Sequence, residues 1–445
     1  MLRVAVVGSG PSGCYTAQSL VQQDPGVLVD VLDRLPCPYG LVRYGVAPDH
    51  EKIKSLQNNL RGVLEHERVR FLGGVEIGPG GVPAGRLREL YHAVVYCVGA
   101  ATDRHLGIPG EDLPGSWSAT EFVSWYSAHP DSTADAFVAG VRSAVVIGVG
   151  NVAVDVTRML ARGVTELRTT DMPQPALAAL ADSRVADVHM VGRRGPSQAR
   201  FTTKELRELG SLPDTDIAVR AEELALDPAY LDPAALAAPQ RRNVEVLRGW
   251  AGPGAHPSPH RISLRFFLRP VELLADGGRV GAVRFERTAP DGRGGVTGTG
   301  EFEEIEAQLV LRSVGYLGVP LEDLPFDPAT ATVPHLAGRV LREGVVAPGE
   351  YVAGWIKRGP TGVIGTNRPC AKETVTSLVQ DAATLVHKDL PGDPLAALRA
   401  AGIEPVGWTG WCAIERAEAE LGASLGRGVV KLPDWQSLMN AAHGL

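Results

Sequence analysis

The sequence has no Cys-x-x-Cys motif and no other close pair of cysteines. Its five cysteines, Cys14, Cys37, Cys97, Cys370 and Cys412, stand far apart along the chain. This spacing predicts neither a redox-active dithiol pair nor a bound iron–sulfur cluster, and we expect no metal site in the chain. Scattered thiols of this kind are typical of a reducing compartment.

Long apolar runs are absent as well. No run approaches the roughly 18 residues that are needed to cross a bilayer. The apolar run at 4–7 is cut off by Gly8 and is too short for a signal peptide. We therefore expect a cytoplasmic protein without membrane insertion. The net charge of −7 argues against general nucleic-acid binding, although it is compatible with a local basic patch.

A first glycine fingerprint, Gly8-Ser9-Gly10-Pro11-Ser12-Gly13, lies between a predicted strand and a predicted helix. The next predicted strand leads to Asp33, 20 residues after Gly13. This order and spacing match a dinucleotide-binding βαβ unit, in which an acid at that position bonds ribose hydroxyls. In such a unit Gly8 allows the tight turn, Gly10 lets the backbone approach a pyrophosphate, and Gly13 lets helix and strand pack closely.

A second fingerprint, Gly148-Val149-Gly150-Asn151-Val152-Ala153, ends differently. Its return strand, predicted at 188–191, comes about 40 residues after Gly148 rather than about 20, so we expect an inserted helix at 166–183. That strand leads to Arg193 and Arg194, and arginine suits a phosphorylated ribose. Two dinucleotide sites on one chain, one suited to ribose hydroxyls and one to a phosphorylated ribose, indicate electron transfer between two cofactors. We expect FAD in the first site and NADPH in the second.

The length of 445 residues allows two or three domains. The order of the predicted strands favours an α/β fold with two Rossmann-like dinucleotide-binding domains, one inserted in the other. We expect a discontinuous FAD-binding domain at 1–105 and 320–445, and an NADP-binding domain at 106–319. Residues 211–260, which are rich in Pro, Ala and Arg, are interpreted as surface helices and loops.

Further candidates each have an ordinary alternative. His50 opens a predicted helix and is equally interpretable as a capping or surface histidine. Glu205 lies in a strongly helical charged run, where a solvated face with local ion pairs is the common outcome. Trp355 beside a glycine-rich turn suits either ring stacking or a protein core. The turn at 362–364 offers backbone N–H groups to an anionic ring or phosphate.

Five blocks together resemble the adrenodoxin-reductase type of ferredoxin–NADP reductase, whose fold is glutathione-reductase-like but without the dithiol. The blocks are VAVVGSGPSG, YGLVRYGVAPDH, VVIGVGNVAVDV, VGRRGPSQARFTTKELRE and GWIKRGPTGVIGT. The resemblance implies that FAD contacts Ser12, Asp33, Leu41, Ile77, Trp355, Gly362, Val363 and Ile364. It also implies that NADP contacts Gly150, Asn151, Val152, Arg193, Arg194 and Glu205, with Gly362 near the nicotinamide. His50 and Glu205 match family residues that are candidates for proton handling, and Asp33 stands where the family has a longer glutamate.

The function implied is hydride transfer from NADPH to FAD, followed by one-electron transfer to a ferredoxin-like iron–sulfur protein. Three alternatives stay open: an NADPH diaphorase acting on quinones or dyes, the electron-input subunit of a larger enzyme, and a non-catalytic FAD-binding protein. An acidic ferredoxin needs a basic landing site. The candidates for it are Arg200, Arg207, Arg241, Arg242, Arg265 and Arg269.

Overall fold

The computed structural model describes residues 1–132, 137–252 and 258–445. The chain divides into two compact units. The first comprises Met1–Thr102, Ser127–Asp131 and Tyr316–Leu445, and the second comprises Asp103–Tyr126 and Ser132–Gly315. The ends of the expected domains, at 105 and 319, lie three and four residues beyond the ends of these segments at Thr102 and Gly315.

The expected NADP-binding domain at 106–319 is wrong in one detail, because Ser127–Asp131 belongs to the first unit. Lys431 Nζ donates a hydrogen bond to the carbonyl oxygen of Ser127 at 3.2 Å. The Asp131 carboxylate accepts from Trp435 Nε1 at 2.7 Å and pairs with Arg34 at 2.5 Å. These contacts with residues distant in sequence hold the segment to the first unit, and local sequence does not reveal them.

In the described part of the first unit, seven strands form one sheet. Their order across it is His335–Leu336, Arg339–Arg342, Val345–Val352, Ala93–Tyr96, Arg3–Val7, Leu28–Leu32 and Val69–Leu72. The last five strands are parallel, whereas the first three form an antiparallel meander. The helices are Pro11–Gln23, Leu41–Tyr44, Glu51–Lys54, Leu56–Leu64, Ala84–Leu90, Trp355–Arg358, Asn367–Leu385, Pro394–Ala400, Trp408–Ser424 and Trp435–His443, with a 3₁₀ turn at Ile364–Thr366.

Both faces of this sheet are covered, as is usual for parallel strands. Along Arg3–Val7 the side chains alternate between two apolar clusters. Val4 and Val6 lie in the cluster that includes residues of the helices Pro11–Gln23 and Asn367–Leu385. Ala5 and Val7 lie in the cluster on the other face. The continuous apolar run before the first fingerprint is therefore a central buried strand.

In the described part of the second unit, six parallel strands form the main sheet. Their order is Ser116–Ser118, Leu309–Arg312, Ser143–Ile147, Asp187–Val191, His260–Arg265 and Thr215–Val219. An antiparallel sheet adds Leu268–Asp276, Arg279–Pro290 and Val296–Glu306. The helices are Ala119–Tyr126, Asn151–Ala161, Val164–Leu167, Gln174–Ala181, Thr203–Leu209, Ala221–Ala225, Pro228–Leu231 and Ala238–Trp250, with 3₁₀ turns at Pro196–Gln198 and Pro233–Ala235. Two short strands, Thr102–Asp103 and Tyr316–Leu317, complete the elements.

The two main sheets place the fingerprints in equivalent positions. Arg3–Val7 lies between Leu28–Leu32 and Ala93–Tyr96, and Ser143–Ile147 lies between Asp187–Val191 and Leu309–Arg312. In each sheet the strand that follows the fingerprint therefore lies on one side of the fingerprint strand, and a later strand of the chain lies on its other side. Such a switch point, at the carboxyl ends of parallel strands, is where open α/β sheets bind ligands.

Two segments differ in part from what the sequence indicates. The expected inserted helix at 166–183 is Gln174–Ala181, and Val164–Leu167 forms a short helix before it. The segment 211–260 contains helices as expected, but also Thr215–Val219, a strand that pairs with His260–Arg265. Residues 253–257 of that segment lie outside the described residues. In the described part of the chain, no helix is long and apolar enough to cross a membrane.

Two candidate dinucleotide sites

The first glycine turn requires glycine at two of its positions for steric reasons. Gly8 has φ +105°, and a Cβ atom there would lie 2.6 Å from the carbonyl oxygen of Cys97. A Cβ atom on Gly13 would lie only 1.8 Å from the carbonyl oxygen of Gly8. The helix Pro11–Gln23 can therefore approach the strand closely only because Gly13 has no side chain.

The remaining glycine of the turn, Gly10, is the N-cap residue of that helix, and no side chain caps the helix there. Gly40 comes close to it from another loop, since a Cβ atom on Gly40, whose φ is +49°, would lie 2.9 Å from Gly10 Cα. Two backbones thus meet at the start of a 13-residue helix. The N–H groups of the first turn of a helix lack intrahelical partners and favour anions, so this cradle fits a pyrophosphate.

Asp33 braces the turn in addition to its predicted role. Its Oδ2 accepts hydrogen bonds from Ser9 N at 2.7 Å and from Ser9 Oγ at 2.5 Å, and its Oδ1 accepts from Leu35 N at 2.9 Å. Burial raises the pKa of this carboxyl, and these hydrogen bonds oppose the rise. A carboxylate offers about four acceptor positions, so Asp33 retains acceptor capacity, and its contact with a ribose stays a prediction.

Trp355 directly follows a glycine that lies against the first turn, although the two segments are far apart in the sequence. A Cβ atom on the preceding Gly354, whose φ is +79°, would lie 2.4 Å from Ser12 Oγ. The indole of Trp355 is half-buried and stacks on Tyr316 with ring centres 5.6 Å apart. Its buried Nε1 has no hydrogen-bond partner among the described residues. A buried donor of this kind is a candidate to bond a polar ligand.

The loop at 361–366 is held by Arg358. The Arg358 guanidinium donates to the carbonyl oxygen of Thr361 and, at 3.0 Å, to Asn367 Oδ1. Gly362 has φ +81°, and a Cβ atom there would lie 2.6 Å from Thr366 Oγ1. Val363 is 64% exposed, and its N–H donates to the same hydroxyl at 3.1 Å, while Ile364 packs partly against the core. The loop thus has a fixed conformation and exposed backbone.

The remaining candidates of the first unit occupy different surroundings. Leu41 follows Gly40 directly and is 41% exposed, so it lies close to the glycine cradle. Ile77 is buried in the apolar core, so its backbone is the part available to a ligand. His50 precedes the helix Glu51–Lys54 and is buried, with its N–H donating to the carbonyl oxygen of Ala47 at 3.0 Å. A surface position, one alternative for His50, is therefore wrong.

The second glycine turn repeats the first in the other unit. Gly148 has φ +143°, and a Cβ atom there would lie 2.2 Å from the carbonyl oxygen of Ser313. Gly150 begins the helix Asn151–Ala161 without a side-chain cap. Asn151 Oδ1 accepts a hydrogen bond from Thr202 N at 2.8 Å. Ala153, in the third fingerprint position, is fully buried, and Val152 is half-buried.

The arginine pair follows the second strand on a firmly held backbone. The carbonyl oxygen of Arg193 accepts from Thr288 Oγ1 at 2.8 Å, and that of Arg194 accepts from Phe267 N at 3.3 Å. Arg193 is exposed and Arg194 is half-buried. Neither guanidinium has an acidic partner within 4 Å among the described residues. Burial lowers the pKa of Arg194, and the charges of Arg193 and Arg200 lower it further.

Glu205 is buried, so the solvated-face alternative is wrong. Its N–H is capped by Thr202 Oγ1 at 3.3 Å, and its Oε2 lies 3.7 Å from Arg158, which is 1% exposed. Burial raises the pKa of Glu205 to about 7, assisted by the charges of Asp155 and Glu208 and opposed by Arg158. Sequence reasoning missed Arg158, because a helical arginine 47 residues upstream carries no signal of this contact.

Two of the six landing-site candidates are ion-paired. Arg265 is buried and pairs with Glu223 at 2.7 Å and with Glu303 at 2.8 Å. Arg269 pairs with Glu286. Arg200, Arg207 and Arg242, by contrast, line a cavity of about 640 Å³ together with Lys204. Arg265 and Arg269 therefore do not offer a free positive charge to a partner.

Two α/β units, each with a glycine turn at a switch point and with different groups at the end of the second strand, define a two-dinucleotide oxidoreductase. The family model for pyridine nucleotide-disulphide oxidoreductases matches residues 2–207. The chain belongs to the family of NADPH-dependent adrenodoxin and ferredoxin reductases, as the following relatives show. All five cysteines are free in this structure.

Three comparisons carry this assignment. The mitochondrial NADPH:adrenodoxin oxidoreductase of Arabidopsis thaliana is 39% identical over 99% of this chain and 95% of its own. The NADPH-ferredoxin reductase FprA of Mycobacterium tuberculosis is 43% identical over 99% of each chain. The structure of that FprA in complex with NADPH aligns with a TM-score of 0.92 and 41% identity over 100% of both chains. The predicted resemblance and the predicted two-domain α/β fold are confirmed.

Proposed function

We propose that this protein is an FAD-dependent NADPH–ferredoxin reductase that passes electrons from NADPH through FAD to a ferredoxin-like iron–sulfur protein. One observation carries the proposal: two glycine turns, each between a strand and the helix that follows it, lie beside strand ends of opposite charge. The first strand end has Asp33, whose carboxylate is fixed within its unit. The second has Arg193 and Arg194, whose guanidinium groups have no acidic partner among the described residues. The curated relatives are enzymes of this activity by name.

The first unit holds FAD. Gly8, Gly10 and Gly13 shape its pyrophosphate cradle, and Gly354 lies against Ser12 of the same turn. The next residue, Trp355, has a buried Nε1 without a hydrogen-bond partner among the described residues. The loop with Gly362, Val363 and Ile364 offers further backbone groups. When bound, FAD supplies the chemistry that accepts a hydride and releases single electrons. The residues of this chain bind and orient it.

The second unit holds NADPH. The Asn151–Ala161 helix begins at Gly150 and directs its free N–H groups to the pyrophosphate, whereas Arg193 and Arg194 bind the 2′-phosphate. The double substitution Arg193→Gln, Arg194→Gln should raise the Michaelis constant for NADPH far more than that for NADH. Equal effects on both nucleotides would contradict this role.

Glu205 and His50 are the proposed proton-handling residues. Glu205, whose pKa is raised to about 7, can hold or release a proton on its carboxyl oxygens near neutral pH. His50 is buried at the start of a short helix in the first unit. His50→Gln should keep flavin bound and slow NADPH oxidation. Unchanged rates at every pH would remove the histidine from this role.

The activity itself is tested with the purified protein. We expect a yellow protein whose flavin absorbance near 450 nm bleaches when NADPH is added without oxygen, at roughly one NADPH per flavin. Added oxidised ferredoxin should restore the colour. Bleaching without transfer to any of several ferredoxins would favour a diaphorase. A flavin that NADPH does not bleach would favour a non-catalytic FAD protein.

The proposed landing site for an acidic ferredoxin is the basic cavity wall with Arg207 and Arg242, both of which are free of ion pairs among the described residues. Arg207→Gln should slow ferredoxin reduction at low salt and reduce its salt dependence. NADPH oxidation with a small neutral dye should be unaffected. A cytoplasmic location is also part of the proposal and rests on the five free, widely spaced thiols.

A further inference from the structure

Arg200 is anchored against the second glycine turn. Its backbone N–H donates to the carbonyl oxygen of Val149 at 2.8 Å, and two residues later Thr202 N donates to Asn151 Oδ1, also at 2.8 Å. These two bonds fix the segment 200–202 beside the middle of the second fingerprint. The Arg200 side chain is exposed. An exposed cation is thus held beside the candidate nucleotide site by its own backbone.

The charge of Arg200 also acts on Arg194, a member of the arginine pair. After burial, the charges of Arg193 and Arg200 are the causes that lower the pKa of Arg194. None of the three guanidinium groups has an acidic partner within 4 Å among the described residues. Like charges grouped without counter-charge repel one another. Such a group is therefore arranged for an anion from outside the chain.

Some other arginines of the second unit do have acidic partners. Arg265 pairs with Glu223 and Glu303, and Arg312 lies 3.3 Å from Glu111. The chain has 51 acidic residues for 44 basic ones, so carboxylates are in supply. Arg193, Arg194 and Arg200 have no such partner among the described residues, although carboxylates are plentiful.

We infer that Arg200 is a third specificity-determining arginine, which binds the 2′-phosphate of NADP(H) together with Arg193 and Arg194. The inference rests on the proposed function and extends it to a residue outside the arginine pair. A phosphate monoester carries a charge of about −1.5 to −2 at neutral pH and accepts from several guanidinium groups at once. The pyrophosphate has the N-terminus of the helix Asn151–Ala161 instead.

Arg184 provides a control. It is exposed in the same unit and, like Arg200, has no acidic partner within 4 Å among the described residues. Its charge is not among those that act on Arg194. Arg184→Gln therefore removes one positive charge from the second unit without touching the arginine group. An effect of net charge alone would appear equally in both variants.

The experiment measures nucleotide binding to the flavin-loaded protein by isothermal titration calorimetry, with no turnover. The ligands are NADP⁺, NAD⁺, 2′,5′-ADP and 5′-ADP, and the variants are Arg200→Gln, Arg200→Lys, Arg184→Gln and Arg193→Gln. We expect Arg200→Gln to weaken NADP⁺ and 2′,5′-ADP by about tenfold, the loss of one charge-assisted hydrogen bond. NAD⁺ and 5′-ADP should bind as before. Arg200→Lys should recover part of the loss, and Arg184→Gln should have little effect.

The remaining outcomes would contradict either the inference about Arg200 or the proposed NADPH specificity. Equal weakening of NADP⁺ and NAD⁺ by Arg200→Gln would place Arg200 on the pyrophosphate and refute the inference. If Arg193→Gln loses the preference for 2′,5′-ADP while Arg200→Gln keeps it, the inference fails and the proposed function stands. If the wild type itself does not prefer 2′,5′-ADP over 5′-ADP, the proposed NADPH specificity fails first.

Discussion

The protonation of Glu205 is open to a quantitative test through stability. Burial raises the pKa of this carboxyl from 4.5 to about 7. Between these values the folded protein binds a proton at Glu205 that the unfolded chain does not bind. The free energy of unfolding therefore falls as the pH rises from about 4.5 to about 7, and this contribution is constant above pH 7. Glu205→Gln mimics the protonated carboxyl and removes this dependence.

The size of the effect follows from the pKa difference. One pKa unit corresponds to about 1.4 kcal/mol, so a rise of about 2.5 units sets an upper limit of about 3 kcal/mol. The charges of Asp155, Glu208 and Arg158 act on Glu205 in opposite directions, so we expect about 1–3 kcal/mol. For a unit of roughly 200 residues, each kcal/mol shifts the melting temperature by about 2–4 °C.

The assay is thermal unfolding of wild type and Glu205→Gln at pH 5, 6, 7 and 8. The variant should gain stability relative to wild type as the pH rises, by several degrees between pH 5 and pH 8. The control is Glu166→Gln, which removes a partly exposed carboxylate paired with Arg162. Such exposed pairs contribute only about 0–1 kcal/mol. If the difference in melting temperature between Glu205→Gln and wild type stays constant with pH, the pKa of Glu205 does not lie near neutral pH.

Three further single substitutions, one of them followed by a second change that should restore stability, test how the first unit is built. Gly13→Ala should destabilise the protein by about 1–3 kcal/mol and lower its flavin content, because the new Cβ atom would overlap the carbonyl oxygen of Gly8. Normal flavin content and melting temperature would contradict the close approach of the helix to the glycine turn. Arg43→Met should cost about 3–5 kcal/mol in urea unfolding, because it leaves Glu418 buried without its bidentate partner. Adding Glu418→Leu should recover most of that loss, and no recovery would argue against a charge effect. Arg358→Gln should speed flavin release in dilution experiments at an unchanged melting temperature, since it frees the loop at 361–366; an unchanged release rate would show that the loop does not retain the flavin.

The glycine turns were predictable because their requirement is local. A strand, a tight turn and a helix must pack within about ten residues, and glycine is the residue that permits positive φ and close approach. Gly8, Gly13 and Gly148 meet these conditions in the structure. The arginine pair was predictable for the same reason, since it follows the second strand directly. Which atoms these residues contact in a ligand stays a prediction.

The environment of the charged residues was not predictable, because it depends on distant parts of the chain. The helical run around Glu205 has the composition of a solvated face, yet Arg158 and the fold bury it. Arg265 was expected at the surface, but Glu223 and Glu303 enclose it. The strand Thr215–Val219 was missed because its pairing with His260–Arg265 joins segments about 45 residues apart in a polar region.

The two glycine turns also differ in how the rest of the chain covers them. A Cβ atom on Gly10 would lie 3.8 Å from Gly40 Cα, whereas a Cβ atom on Gly150 would have no described atom within 4 Å. The first turn is further covered by Gly354, which contacts Ser12. A covered cradle suits a cofactor that stays bound through many turnovers, and an open one suits a nucleotide that enters and leaves in each. The charges agree, because the Asp33 carboxylate accepts hydrogen bonds within the protein, whereas Arg193 and Arg194 have no acidic partner among the described residues. The difference in cover therefore supports, independently of the strand-end residues, the assignment of FAD to the first unit and NADPH to the second.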